Sequence, residues 1–278
     1  MTRPTFLVTG ATDGIGKQTA LNLVRQGARV LVHGRSRVRA ESAVAELKAL
    51  SGRADLEPVA GDFSSLAQVR ALAEEVRSCT DRLEVLVHNA GVYMKSRVVT
   101  EDGLETTFQV NHLAPFLLSH LLLERLQAAT EARIVVVSSV AHQGGYIDFQ
   151  NLQGEKVFDG YGAYALSKLA NLLFAVELAE RLGGTGITVN GLHPGVIGTK
   201  LLKAGFHMDG AEVPHGALTS TYLATSPEVQ GVTGRYFVDC KPTVCAHYVN
   251  DPLLRNRFWA HSENLAKLAP AERILLQV

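Results

Sequence analysis

"VTGATDGIG", residues 8–16, decides how the rest of the chain is read. It follows a β-branched run, "TFLVT" (5–9), and leads into a helical pattern near 15–26. Gly10, Gly14 and Gly16 are spaced G-x-x-x-G-x-G, with Thr12, Asp13 and Ile15 between them. Glycine lets the backbone turn sharply and lets a pyrophosphate approach with no Cβ in the way. A helix starting at Gly14 offers that anion free N–H groups and a positive dipole end. The bland alternative is a glycine-rich turn with no ligand, but strand, turn and helix in this order are the context of a dinucleotide site.

Outward from that turn, apolar strand-like runs alternate with helical segments. The strands are expected at 5–9, 29–34, 55–60, 84–88, 133–139, 187–192 and 235–239, and the helices near 15–26, 37–50, 64–79, 101–129 and 162–182. Near-continuous apolar strands separated by helices indicate a parallel sheet covered on both faces. The fold expected is α/β: a single doubly wound, Rossmann-type parallel sheet of seven strands with helices on both faces. No Pro- or Gly-rich linker, repeat or low-complexity segment divides it, so residues 1–278 read as one domain. Two long stretches, 141–160 and 199–215, leave the carboxyl ends of strands, where such sheets bind ligands. They carry Tyr146, Ile147, Phe149, Leu201, Leu202, Phe206 and Met208. These line an apolar pocket or pack the loops.

The second strand ends "VLVHGRSR". An NAD site has an acid here, which bonds the ribose 2′-OH and repels a phosphate. This chain has Gly34 and then Arg35, with Arg37 and Arg39 beyond. A small residue leaves room for a 2′-phosphate and a guanidinium holds it bidentately. NADP(H) is the cofactor expected.

"YGAYALSKLAN" (161–171) is an apolar helical stretch with one lysine and two tyrosines. Positions four apart on a helix lie on one face, roughly 6 Å from each other. Lys168 is four residues after Tyr164, whereas Tyr161 is about two turns away. Only Tyr164 is placed to share a reaction centre with the ammonium.

With these two motifs together the chain resembles the short-chain dehydrogenase/reductase family, over nearly its whole length. Further stretches carry the resemblance: "GDF" (61–63), "NAG" (89–91), "VNHLAPF" (110–116), "VVVSS" (135–139) and "HPGVIGT" (193–199). It implies catalytic roles for Asn111, Ser139, Tyr164 and Lys168, with Ser139 preferred to Ser138 by motif alignment. It implies cofactor contacts from Asp62 at the adenine amino group, Phe63 beside it, and Asn89, Ala90 and Gly91 after the fourth strand. Pro194, Gly195, Ile197 and Thr199 would meet the nicotinamide, and Lys168 its ribose hydroxyls. Asn111 would support a water that relays protons to Lys168. "SSVAHQGGYIDFQNLQGEK", "SKLANLLFAVELAERL" and "GRYFVDC" look like the retinol-dehydrogenase-like branch. So does the gap of 25 residues from Ser139 to Tyr164. A homodimer or homotetramer packed through the helices near 101–129 and 162–182 is implied as well.

The chemistry follows from the residues. Carbonyl reduction needs a hydride at carbon and a proton at oxygen. A tyrosine of pKa near 10 is poorly matched to pH 7. A lysine ammonium one turn away, with the positive nicotinamide of the oxidised complex, favours the phenolate. Tyr164 then serves as general acid or base, and Ser139 stabilises the developing alkoxide. The substrate expected is an aldehyde, ketone or alcohol, apolar and medium-sized or larger: retinal-like, aliphatic or aromatic. The alternative is a catalytically silent NADP(H)-binding regulator or scaffold of the same fold. Such a protein could dispense with the four catalytic residues, and all four are present.

Lys plus Arg equals Asp plus Glu at 27 each, which argues against bulk attraction to nucleic acid or anionic membrane. Three cysteines, Cys79, Cys240 and Cys245, form no disulfide framework or zinc spacing. No metal is expected: His193, His207 and His215 read as loop or supporting residues, and His142, three past Ser139, is assigned no role. The N-terminus has no signal-like apolar core, and "FLLSHLLL" (116–123) is far short of the ~20 residues that span a bilayer. A cytoplasmic protein with no membrane span is expected.

Overall fold

Thr5, Phe6, Leu7 and Val8 are all buried, and they alternate between two layers. Phe6 and Val8 pack on one side of the sheet and Leu7 on the other. A strand buried on both faces needs cover on both, and the chain supplies it. The computed structural model describes residues 3–206 and 208–276. In it β1 (Thr5–Val8) lies between β2 (Arg29–Gly34) and β4 (Val85–His88), with β3 (Leu56–Ala60) outside β2. On the other side β5 (Ala132–Val137), β6 (Ile187–His193) and β7 (Arg235–Val238) continue the sheet beyond β4. All these pairs are parallel. The order reverses between β1 and β4, so the crevice for a ligand opens at their carboxyl ends.

The sheet has eight strands, not the seven expected. β8 (Lys241–Thr243) pairs antiparallel with β7. The turn between them, Asp239–Cys240, has φ of 48° and 61°, as two-residue hairpins require. All three residues of β8 are exposed, and its lysine and proline suit an edge.

One face is covered by α1 (Gly14–Arg25), α2 (Arg37–Ser51) and, late in the chain, α10 (Leu218–Thr225). The other is covered by α3 (Leu66–Cys79), α5 (Ala114–Leu121), α7 (Gly160–Arg181) and α11 (Pro252–Leu265). The single helix expected near 101–129 is broken. α4 (Thr106–Phe108) passes through a π turn (Gln109–Leu113) into α5 and then α6 (Leu123–Gln127). Pro115 has no N–H to give the carbonyl four residues back, that of Asn111, and the register changes there. The short helices α8 (Lys200–Phe206) and α9 (Val213–Gly216) follow β6.

α11 was not foreseen. It lays Phe258 and Trp259 on α5 and α7, with Phe116 and Trp259 ring centres 4.8 Å apart. Buried Glu177 of α7 is paired with Arg181 at 2.9 Å and with Arg255 of α11 at 3.4 Å. Every residue of α5 is buried, and Trp259 of α11 covers part of the α5–α7 surface through which the resemblance implied self-association. Among the described residues one helix, α7, is long and apolar enough to cross a membrane, and 83% of that stretch is buried in the domain.

Candidate active site

Gly10 has φ +62°, and a Cβ there would lie 2.8 Å from Ala90 Cα. A Cβ on Gly16 would lie 2.3 Å from Asn89 Nδ2. Only glycine lets the turn press this closely on the end of β4. Asn89 fastens the two, donating from Nδ2 to Thr9 O at 2.8 Å, while its own N–H donates to Thr9 Oγ1 at 2.9 Å. Asp13 caps α1 by accepting from Gly14 N at 2.9 Å. Its carboxylate also meets Lys200 Nζ at 2.5 Å, and this bond holds its pKa below the usual carboxylate value. The turn is thereby tied to the start of α8.

Sequence reasoning missed His33, which sits under this turn. Its Nδ1 accepts from Gly10 N at 3.0 Å and its Nε2 lies 2.9 Å from Gly61 O. A carbonyl only accepts, so the proton is on Nε2 and the ring is neutral. Burial pushes its pKa down to about 4. The ring stacks on Phe63 at 4.6 Å, joining the glycine turn to the Gly61–Phe63 segment. A histidine in an apolar strand reads as core, which hid it.

Gly34 requires a correction. A Cβ there would lie 2.7 Å from Thr12 Cγ2 and 3.1 Å from Ala40 N. The space beside it is filled by protein, so Gly34 permits close packing of β2 on α2 rather than leaving room for a phosphate. Arg37 is engaged too, with Glu75 and with Pro58 O. Arg35 and Arg39 are exposed and line the cleft. Asp62 also lines it, its Oδ1 accepting from Ser64 N at 2.9 Å and Ser64 Oγ at 2.7 Å.

At the other end, β5 delivers two serines with different partners. Ser138 Oγ donates to Lys168 O at 2.7 Å and braces α7. Ser139 begins a 3-10 turn (Val140–Gly144) and its side chain is hydrogen-bonded to Tyr164. Tyr164 and Lys168 are buried, and Nζ lies 5.5 Å from the tyrosine ring centre. Nζ donates to Val137 O at 3.1 Å. Tyr161 is 47% exposed and sits on the rim. In the protein by itself burial pushes the Tyr164 pKa up to about 12, the Ser139 bond opposing. Burial likewise pushes Lys168 down to about 8.

Asn111 is fully buried. Its Oδ1 accepts from Val92 N at 2.7 Å, and its Nδ2 donates to Val92 O and Ser167 Oγ, both at 3.0 Å. Both amide hydrogens are used within the protein. A Cβ on Gly91 would lie 3.4 Å from Asn111 Oδ1 and 3.5 Å from Lys168 Nζ.

Every residue expected at the site except Asn111 lines one cleft of about 1190 Å³. Pro194, Gly195, Ile197 and Thr199 form its far wall, and Thr199 Cγ2 would be 3.4 Å from a Cβ on Gly14. Leu201, Leu202 and Met208 line the apolar end, joined by Val92, Met94 and Val110, which the sequence reading did not single out. Tyr146, Ile147 and Phe149 are not in its wall. Phe149 instead packs under the Arg257 guanidinium at 3.8 Å, and Ile147 against the core. His193 is in the wall and His215 is exposed on α9. His207 and the side chain of Phe206 lie outside the described residues. The glycine-lined backbone, Arg35 and Arg39 at one end and buried Lys168 at the other fit a nicotinamide dinucleotide.

The chain matches the short chain dehydrogenase family model over residues 4–209. It is 42% identical to retinol dehydrogenase 14 of Homo sapiens, over 95% of this chain and 86% of that one. It is 41% identical to dehydrogenase/reductase SDR family member 13 of Bos taurus, over 96% and 74%. The crystal structure of an uncharacterized protein from Mycobacterium paratuberculosis superposes with a TM-score of 0.81 at 29% identity, covering 96% of this chain and 94% of that one. A short chain dehydrogenase from Shigella flexneri complexed with NADP does so at 0.70 and 25%, covering 87% and 98%.

Proposed function

The chain belongs to the short-chain dehydrogenase/reductase family, in its retinol-dehydrogenase-like branch, and from that premise we propose that it is an NADP(H)-dependent oxidoreductase of apolar aldehydes, ketones or the matching alcohols. The observation that carries this is the group of half-buried Ser139 with buried Tyr164 and Lys168 at one end of a dinucleotide-sized cleft whose other end presents Arg35 and Arg39. The test is NADPH oxidation with a panel of aldehydes and ketones of increasing chain length. No turnover with any of them, despite NADPH binding, would favour the silent regulator instead.

A bound nicotinamide supplies the hydride. Tyr164 supplies the proton: burial, which pushes its pKa up to about 12, keeps the phenol protonated at neutral pH, and the positive charge of Lys168 eases the proton's release. Ser139 Oγ holds the substrate oxygen and stabilises charge developing on it. Lys168 is the cation nearest the phenol, at 5.5 Å from its ring centre. It favours the phenolate left after proton transfer and would hold the ribose hydroxyls of a bound cofactor. Asn111 fixes the Val92 backbone and is bonded to Ser167, the neighbour of Lys168 on α7. A relay water at Asn111 would rest on its carbonyl, which Pro115 deprives of an α-helical partner.

NADP(H) over NAD(H) is supported by the two arginines and by the NADP-bound relative. The apolar end, with Leu201, Leu202, Met208 and Val110, suits a substrate of medium size or larger, and the relatives' names suit a retinal-like one. We place the protein in the cytoplasm. A native extract in which it pellets with membranes after a high-salt wash would contradict that, since salt removes merely electrostatic attachment. A homo-oligomer is retained as a proposal, built on surfaces outside the part of the α5–α7 face that α11 covers.

A further inference from the structure

The last ladder bond on β5 is that of Ser138, whose N–H donates to Leu192 O at 2.7 Å. The next peptide, Ser139–Val140, is held from both sides by histidines. Its N–H donates to His193 Nδ1 at 3.2 Å. Its carbonyl lies 2.6 Å from His142 Nδ1 and also accepts the His142 backbone N–H at 3.1 Å. His142 Nε2 in turn accepts from Ala246 N at 3.1 Å. A carbonyl only accepts and an amide N–H only donates, so the neutral His142 ring carries its proton on Nδ1. His142 has no exposed surface, stands edge-on to Tyr236 at 4.9 Å and is absent from the cleft wall. It touches neither the substrate space nor the cofactor space. It joins the serine turn to a segment 104 residues later.

We propose that His142 is a positioning residue: by gripping the Ser139 carbonyl from behind the cleft, and being anchored on the Ala246 amide, it keeps the Ser139 hydroxyl within bonding range of the Tyr164 phenol. Rotation of the Ser139–Val140 peptide would swing the serine away, and His142 and His193 together prevent it. This rests on the reading of Ser139 and Tyr164 as the reacting pair.

The test compares His142→Asn with His142→Gln, each alone and with Ser139→Ala, using NADPH and nonanal. Asparagine carries a donor near the Nδ1 place; glutamine reaches the Nε2 place. His142→Asn should keep most turnover, and His142→Gln should lose roughly tenfold to a hundredfold in kcat, as small misplacements do. Both should leave the NADPH Kd unchanged. With Ser139→Ala the two should become equal, because His142 acts through that serine. Glutamine matching or exceeding asparagine, or an unchanged difference without Ser139, overturns the proposal. Full turnover by Ser139→Ala alone would instead overturn the reading of Ser139. Should nonanal not turn over, ring 15N shifts of the wild-type protein decide the point: a proton on Nδ1 of His142 supports the clamp, and a proton on Nε2 overturns it.

Discussion

Lys168 Nζ lies 5.5 Å from the centre of the Tyr164 ring, one helical turn away, and both side chains are buried. Burial acts on both groups in the same sense, against charge. The phenol is pushed up to about 12 and the amine down to about 8. The helix therefore places a cation where the protein is least hospitable to one.

That placement has a measurable cost. With Lys168 at about 8 in the folded chain against its ordinary 10.5, the unfolded chain holds the extra proton between those values. Stability therefore rises with pH across that window. Below it the folded state carries the full penalty, about 3 kcal/mol. Lys168→Met should be more stable than wild type at pH 7 by about that amount, with the gap closing towards pH 10.5, while turnover is lost. Val137 O still has Asn171 Nδ2 at 3.4 Å. Urea unfolding at pH 7 and pH 10 checks this; a variant less stable at pH 7 would contradict it.

Four of the five buried histidines set the acid limit. His33 and His120 are pushed down to about 4, and His88 and His112 to about 3, all by burial. Their folded values lie below the ordinary 6.5, so protons bind the unfolded chain first and stability falls as pH drops below 6.5. Each contributes about 1.4 kcal/mol per pH unit within its window. Replacing His120 with Phe should make the fall shallower by about one proton. Stability that stays flat from pH 7 to pH 5 would be inconsistent with four neutral histidines.

How much of this was legible varied with the physics. The glycine turn was legible because backbone crowding excludes every other residue at Gly10 and Gly16. The inner strands were legible because burial on both faces demands continuous apolar runs. β8 was not: its Lys, Pro and Thr are exposed and show no alternation. α11 was missed because only part of it is apolar, and its fit to α7 depends on Glu177, Arg181 and Arg255 meeting across 74 to 78 positions of chain. His33 and His142 were illegible for a shared reason. Their partners are backbone groups brought together by folding, which no local spacing announces. Gly34 was read as space when it is contact.

Cofactor choice rests on Arg35 and Arg39. Arg35→Ala with Arg39→Ala should reduce the preference for NADPH over NADH by about tenfold to a hundredfold, the worth of one charge-assisted bond to the 2′-phosphate at ~1.5–3 kcal/mol. The measurement is the ratio of kcat/KM for the two cofactors. A wild type that already prefers NADH would sink the assignment. Gly34→Asp would be a poor substitute test, because its Cβ would collide with Thr12.

The central claim is that Tyr164 moves the proton and Tyr161 does not. The direct measurement is NADPH-dependent reduction of an apolar aldehyde by Tyr164→Phe and Tyr161→Phe, with NADPH affinity measured beside it. Tyr164→Phe should lose about a hundredfold to ten-thousandfold in kcat, the range expected for a missing general acid, with NADPH binding nearly unchanged. Tyr161→Phe, altered on the rim, should remain close to wild type. Near-normal turnover by Tyr164→Phe, or loss by Tyr161→Phe in its place, would contradict the account.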